Sequence, residues 1–170
     1  YLRLNNISSL EQKIRLKYDN YLILALLIID RSNNYEYFCY KYKVSNVVKN
    51  RFKNISENIE KMKSKKFYSE KNIKKLIYFK KKDLVMDLLL FSLCTKDKKQ
   101  ILHIQKLIDY VNDCKIPKFP ISGDYLKKHG YESGKALGKK LKSLEEEWIE
   151  NNFIMDKKIF EKSLDKVNSN

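Results

Sequence analysis

The chain has 170 residues, 43% of them hydrophobic, and a formal net charge of +15 at pH 7. That length suits one domain or two small helical lobes. The longest apolar run, residues 21–29, is about half of the roughly 20 residues that a membrane-spanning helix needs, and residues 1–16 are interrupted by charges where a secretory leader would be apolar. We therefore exclude a membrane protein and expect a cytoplasmic one.

Glycine and proline are scarce, with 4 and 2 copies, and the apolar residues recur at helical spacing. β-rich folds need many turns, so this composition favours an all-α fold. We expect a bundle of short helices with a small C-terminal helical lobe. Cys39, Cys94 and Cys114 lack the spacing of metal ligands, which predicts reduced, buried thiols and no metal site.

The N-terminal pattern predicts a helix over residues 6–30, or two helices that meet near residues 18–20. Residues 22–29 are apolar on nearly every side, as in a helix at the centre of a core. A turn at residues 32–34 and a short helix at residues 36–42 follow.

Ser45 is a predicted N-cap, because its hydroxyl can accept an orphan backbone N–H of a helix over residues 46–63. The buried stripe of this helix repeats at intervals of three and four residues, which leaves its lysines on the outside. Its members are Val48, Phe52, Ile55, Ile59 and Met62.

A basic loop at residues 63–66 separates that helix from the next, which starts at Ser69 and Glu70. Three lysines at residues 80–82 interrupt it before an apolar helix over residues 84–94. An amphipathic helix over residues 98–114 comes next.

Two prolines, Pro117 and Pro120, then end helix formation, since each removes a backbone donor and pushes its predecessor toward extended geometry. We place a domain boundary here, between a helical body of residues 1–116 and a tail lobe of residues 117–170.

Positive charge is concentrated in residues 41–82, which hold 15 basic and 3 acidic residues. Their net charge of +12 leaves only +3 for the rest of the chain. AT-rich codons could raise the lysine content without a function, but they would not concentrate it, and a local field of this size attracts a polyanion. Aromatic residues that could stack on exposed bases lie in or beside this stretch: Tyr40, Tyr42, Phe67, Tyr68 and Tyr78. The predicted RNA contacts in this stretch are Lys49, Lys53, Lys63, Lys65, Lys66, Lys80, Lys81 and Lys82.

Residues 119–153 predict a helix–turn–helix unit. Ser122 can cap the first helix, and Gly130 can end it in a left-handed conformation. Gly134 starts the second helix and lies one turn before Gly138. These two glycines permit a close approach of a neighbouring backbone, or the helix start presents free N–H groups to an RNA phosphate. The predicted RNA contacts here are Lys127, Lys128, Gly134, Lys135 and Lys139.

This segment resembles the C-terminal motif of bacterial CCA tRNA nucleotidyltransferases and their poly(A) polymerase relatives. Tyr125, His129 and Ser133 depart from the usual residues of that motif. Two weaker similarities lie upstream, at residues 21–29 and 42–46. The matching positions are Pro120, Gly123, Asp124, Leu126, Gly130, Gly134, Gly138, Leu141, Leu144 and Trp148.

The resemblance implies a tRNA-binding body and tail that hold the acceptor and T arms while a head domain adds nucleotides to the 3′ end. The head's D-x-D carboxylate pair and Gly-Ser pair are absent here, as are its nucleotide-selecting motifs, so we assign no catalytic residue and no cofactor to this chain. Mg²⁺, CTP and ATP are expected in the head. The chain begins at Tyr1 and not at Met, so we expect the head and neck upstream of it or on another chain.

Three other interpretations stay open. The chain could be a helical DNA-binding module with residues 46–63 as the recognition helix, or a protein-interaction domain whose basic surface is only compositional. It could also be a decayed or split gene product. The sequence does not distinguish CCA addition from addition of A alone or of poly(A).

Overall fold

The computed structural model describes residues 2–30 and 32–155, and every regular element in these ranges is helical. The predicted all-α fold is confirmed. No helix in the described ranges is both long and apolar enough to cross a bilayer. Two 3₁₀ turns, Lys61–Lys63 and Lys65–Tyr68, lie between α5 and α6. The α-helices are α1 (Leu2–Ser8), α2 (Gln12–Arg15), α3 (Asn20–Ile28), α4 (Asn34–Lys41), α5 (Asn46–Asn58), α6 (Glu70–Lys80), α7 (Lys82–Leu93), α8 (Lys98–Asp113), α9 (Gly123–Lys128) and α10 (Lys135–Glu150).

The chain divides into two compact units between Lys115 and Ile116. In the first unit, α7 forms the centre, and all its residues from 87 to 93 are buried. It packs against α5, α6 and α8. Each large aliphatic side chain buried there contributes about 1.5–3 kcal/mol.

The prediction that residues 22–29 form the central helix is wrong. In α3 one face is buried, but Tyr21 and Leu27 are 49% and 52% exposed. When a helix is apolar on every side, its sequence does not indicate which face is buried. α7 occupies the centre because it packs against more neighbouring helices than α3 does.

Of the two patterns considered for residues 6–30, the single helix is wrong, and the break predicted near residues 18–20 is confirmed between α2 and α3. A second break, between α1 and α2, was not predicted. Leu10 turns into the core between α1 and α2. The Asp19 carboxylate accepts a hydrogen bond from the Leu22 backbone N–H at 2.8 Å, which starts α3 afresh. At the other end of α3, Arg3 donates to the carbonyls of Leu26 and Ile29. A cation at this position also complements the helix dipole.

A charged network holds α3, α5 and α7 together. The Arg51 guanidinium donates to both carboxylate oxygens of Asp87, at 2.8 and 2.9 Å, and to both of Asp19, at 2.6 and 3.2 Å. Burial raises the pKa of Asp87, against the opposing hydrogen bonds from Arg51. Partial burial opposes the shift at Asp19, but the bonds from Arg51 and Leu22 hold its pKa below the usual value.

α5 ends at Asn58, five residues before the predicted end. Ser45 caps its start, accepting from the Val48 N–H, as predicted. The expected loop at residues 63–66 is a pair of 3₁₀ turns, and Ser64 caps the second by accepting from the Lys66 N–H at 3.2 Å. The apolar stripe still holds, because Met62 is buried after the α-helix has ended.

α6, α7 and α8 follow one another through short connections. Lys81 has φ of +70° and reverses the chain between α6 and α7. Lys82 donates from Nζ to the carbonyl of Asn112 at 2.8 Å, so the start of α7 lies beside the end of α8. At a rise of 1.5 Å per residue, the 11 residues of α6 span about 16 Å. The residues just before α6 therefore lie about 16 Å from Lys81.

The second unit contains α9 and α10. Ser122 accepts from the Tyr125 N–H at 3.2 Å, and Gly130 has φ of +88°, as their predicted roles as cap and stop require. The buried side chains of Ile121, Leu126 and Leu144 form its core. Trp148 extends this core and contacts the rings of Phe119 and Phe153, whose centroids lie 5.3 and 5.0 Å away.

Candidate nucleic-acid interface

We call residues 61–68 the basic turn. Two aromatic side chains of this turn pack into the core and hold the turn in place. Phe67 and Tyr68 are buried. The Tyr68 hydroxyl lies within 2.9 Å of both the Met62 carbonyl and the Ser92 Oγ, which ties the turn to the C-terminal end of α7. With these side chains buried, the lysines of the turn are left exposed.

A cleft of about 240 Å³ lies where the basic turn meets the start of α8, and we call it the Lys65–Lys99 cleft. Lys65 and Lys99 line it, and His103 lies one helical turn after Lys99 on the same face of α8. The His103 Nε2 lies 2.8 Å from the Tyr68 carbonyl, which fixes the wall of the cleft. None of its lining residues is acidic.

Gln100 also lines the Lys65–Lys99 cleft, and its Oε1 is buried without a hydrogen-bond partner among the described residues. A buried amide oxygen left unpaired costs about 1–3 kcal/mol. The cleft thus offers two ammonium groups to an anion.

Lys96 adds a third cation beside the basic turn. Its Nζ lies over the Tyr68 ring, 5.4 Å from the centroid. Partial burial lowers the pKa of Lys96 below its usual value, against the opposing charge of Asp97. Sequence reasoning missed Lys96 and Lys99 because they lie outside residues 41–82. The contact between the α7–α8 connection and the basic turn is tertiary and leaves no local pattern.

The two other predicted contacts in the turn are Lys63 and Lys66, and both are exposed. Lys63 forms an ion pair with Glu60. Because both side chains are about half exposed or more, this pair contributes little and opens at little cost when a phosphate competes.

Lys80, Lys81 and Lys82 lie at the opposite end of α6 from the basic turn. Lys80 is half-buried and Lys81 is exposed, while the Lys82 ammonium is engaged with the Asn112 carbonyl. The predicted lysines of residues 41–82 therefore form at least two groups about 16 Å apart.

Lys49 and Lys53 lie on the exposed face of α5, one helical turn apart. Lys53 pairs with Glu57 at 3.7 Å. The cation between them, Arg51, points the other way into the network with Asp19 and Asp87. A run of basic residues thus combines surface charges with an internal one.

The aromatic residues predicted to stack on bases also include exposed and buried members. Tyr40 and Tyr42 are 85% and 61% exposed, so they can reach a base. The sequence also predicted that Phe67 and Tyr68 could stack on bases. Both are buried, and they hold the basic turn against the core instead. Tyr78 is half-buried.

In the second unit, Lys128, Lys135 and Lys139 are exposed, and Lys127 pairs with Asp124 at 3.3 Å. The predicted close packing at the glycine pair is wrong. A Cβ built on Gly134 or Gly138 meets no described atom within 4 Å. Gly134 is needed for its backbone, because its φ of +144° is one that side chains with a Cβ rarely adopt.

Comparison with known proteins gives one partial similarity. A segment of 52 residues is 42% identical to the CCA tRNA nucleotidyltransferase 1, mitochondrial, of Danio rerio. It covers 31% of this chain and 12% of that protein. No protein-family model matches the chain. No solved structure matches it.

Proposed function

We propose that this chain is the RNA-binding C-terminal region of a tRNA nucleotidyltransferase or poly(A) polymerase, and that it holds the acceptor and T arms of a tRNA. The addition of nucleotides, with Mg²⁺, CTP and ATP, belongs to a head and neck outside this sequence. The observation that carries the proposal is the meeting of Lys65 and Lys99 on one cleft, beside Lys96.

This arrangement suits a sugar–phosphate backbone. Lys65, Lys66, Lys96 and Lys99 come from two parts of the chain separated by α6 and α7, and they lie on or beside one anchored turn. Ammonium groups on a rigid support attract phosphates without reading bases, as expected of a protein that recognises the shape of a folded RNA.

The partial similarity to a CCA tRNA nucleotidyltransferase supports the choice of tRNA. The tail unit supports it too, because Ser122 caps α9 and Gly130 has the left-handed backbone predicted for the segment that carries the resemblance. In this proposal Lys127, Lys128, Lys135 and Lys139 form a second set of phosphate contacts.

The test is the salt dependence of tRNA binding by the full chain and by the triple variant Lys65→Ala, Lys66→Ala, Lys99→Ala. Each lost phosphate contact removes roughly 0.7–0.9 from the slope of log K against log salt, so we expect the slope to fall by about 2. The matched control is Lys13→Ala, Lys49→Ala, Lys53→Ala, which removes the same charge from exposed sites outside the basic turn and the cleft. An equal fall in both variants means that net charge alone drives binding.

Two results would favour the other functions. Duplex DNA that competes as well as tRNA would favour a DNA-binding module. No binding to either near 0.15 M salt, at about the physiological ionic strength, would favour a protein-interaction domain.

A further inference from the structure

A second and larger cavity of about 710 Å³ lies near the end of α3, the first 3₁₀ turn and the end of α7. Its volume is within the range of about 300–1,000 Å³ that is typical of small-molecule sites. Arg3, Lys63 and Lys96 line it, with Asp30 as the one acid among its lining residues. These side chains carry a net charge of +2, and we call this cavity the anion pocket.

Arg3 is held in place by the fold. Its Nη1 donates to Leu26 and Ile29, and its guanidinium lies 5.3 Å from the centroid of the Phe91 ring. Within the described part of the chain, Nη1 is the only nitrogen of the Arg3 guanidinium that donates a hydrogen bond. A planar cation fixed on an aromatic ring is a surface on which another flat ring can stack.

Lys96 lines the anion pocket as a partly buried cation. Its Nζ is within 5.4 Å of the Tyr68 ring centroid, and burial lowers its pKa. An anion in the pocket would restore the interactions that the ammonium lost with water. Lys63 brings a second ammonium from the rim, where its pairing with Glu60 is exposed to solvent.

The rest of the lining is divided between apolar and accepting groups. Met62 and Phe91 are buried and form an apolar floor. Asp30 is exposed, and its hydrogen bonds from Ser32 hold the pKa of its carboxyl below the usual value, so it stays ionised and acts as an acceptor. The matching ligand has a flat apolar ring, a hydroxyl or amino donor and a dianionic group.

We propose that the anion pocket binds a nucleoside monophosphate unit, with its phosphate on Lys96 and Lys63 and its base stacked on the face of Arg3 that is turned away from Phe91. This unit can be a free mononucleotide or one unstacked nucleotide of a bound RNA. The inference reaches beyond the proposed function, since it stands if no tRNA binds.

The experiment is calorimetric titration of the full chain with AMP, adenosine and inorganic phosphate. We expect saturable binding of AMP and weaker binding of either part. Lys96→Met should weaken AMP binding about tenfold, and Lys96→Arg should restore most of it. Lys106→Met is the matched control, because Lys106 is an exposed lysine of α8 that lines neither the anion pocket nor the Lys65–Lys99 cleft. It should leave AMP binding unchanged.

A second arm identifies the source of the nucleotide. Single-stranded RNA carrying 2-aminopurine is titrated against the same variants, and a fluorescence change that depends on Lys96 but not on Lys106 assigns the pocket to an RNA base. The proposal is overturned if neither probe shows a response that Lys96→Met reduces. Loss of tRNA binding alongside intact AMP binding would instead refute only the proposed function.

Discussion

Arg51 offers the sharpest test of how this fold is held together. In Arg51→Met, Asp87 keeps its buried position but loses both hydrogen bonds from the guanidinium. Its side chain is 8% exposed, so the lost pairing counts nearly in full, at about 3 kcal/mol. The bonds to Asp19 add little, because that carboxylate is 49% exposed.

Urea unfolding followed by far-UV circular dichroism measures this loss. With a slope of about 1–3 kcal/mol per molar urea, the midpoint should fall by about 1–3 M while the slope stays constant. Lys53→Met, two residues away on the exposed face of α5, should change the free energy of unfolding by less than about 0.5 kcal/mol. Adding Asp87→Leu to Arg51→Met should recover most of the loss. If Arg51→Met and Lys53→Met unfold alike, the network does not support the fold as described.

Gly134→Ala should destabilise the chain by about 1–3 kcal/mol, because the φ of Gly134 is +144°. Gly138→Ala should stabilise it by about 0.5–1 kcal/mol, because Gly138 lies within a helix and has open space around it. Equal effects of the two variants on thermal unfolding would contradict this. As the pH falls from about 5 toward 2, Asp19→Asn should lose less stability than the parent chain. The lowered folded-state pKa of Asp19 gives stability above its unfolded pKa, and acid removes it, so identical pH profiles would be evidence against the role of Arg51. Tyr68→Phe should cost about 1–2 kcal/mol and speed amide exchange in residues 61–68; unchanged exchange would mean that its hydroxyl does not anchor the turn.

Local patterns predicted most of the helices and three of their caps. Ser45, Ser69 and Ser122 each accept the backbone N–H three residues later, as short polar side chains before an apolar stripe do. The stripe of α8 is buried at Ile104, Leu107, Ile108 and Val111 because a period of 3.6 residues puts them on one face. These features depend on neighbours within one or two helical turns.

The errors come from interactions between distant residues. Nothing near Arg51 in the sequence shows that it reaches Asp87, 36 residues away. Nothing near Lys99 shows that it faces Lys65. The density of lysine predicted a charged surface, but the length of α6 decides that Lys81 lies far from the basic turn.

Photo-crosslinking tests the central claim most directly. A tRNA containing 4-thiouridine is irradiated with the full chain near 0.15 M salt, at about the physiological ionic strength, and the crosslinked peptides are identified by mass spectrometry. The account predicts crosslinks in residues 61–68 and 95–103, which carry the basic turn and the cations that face it. Crosslinks confined to the exposed face of α5, or spread evenly over the lysines of the chain, would contradict it.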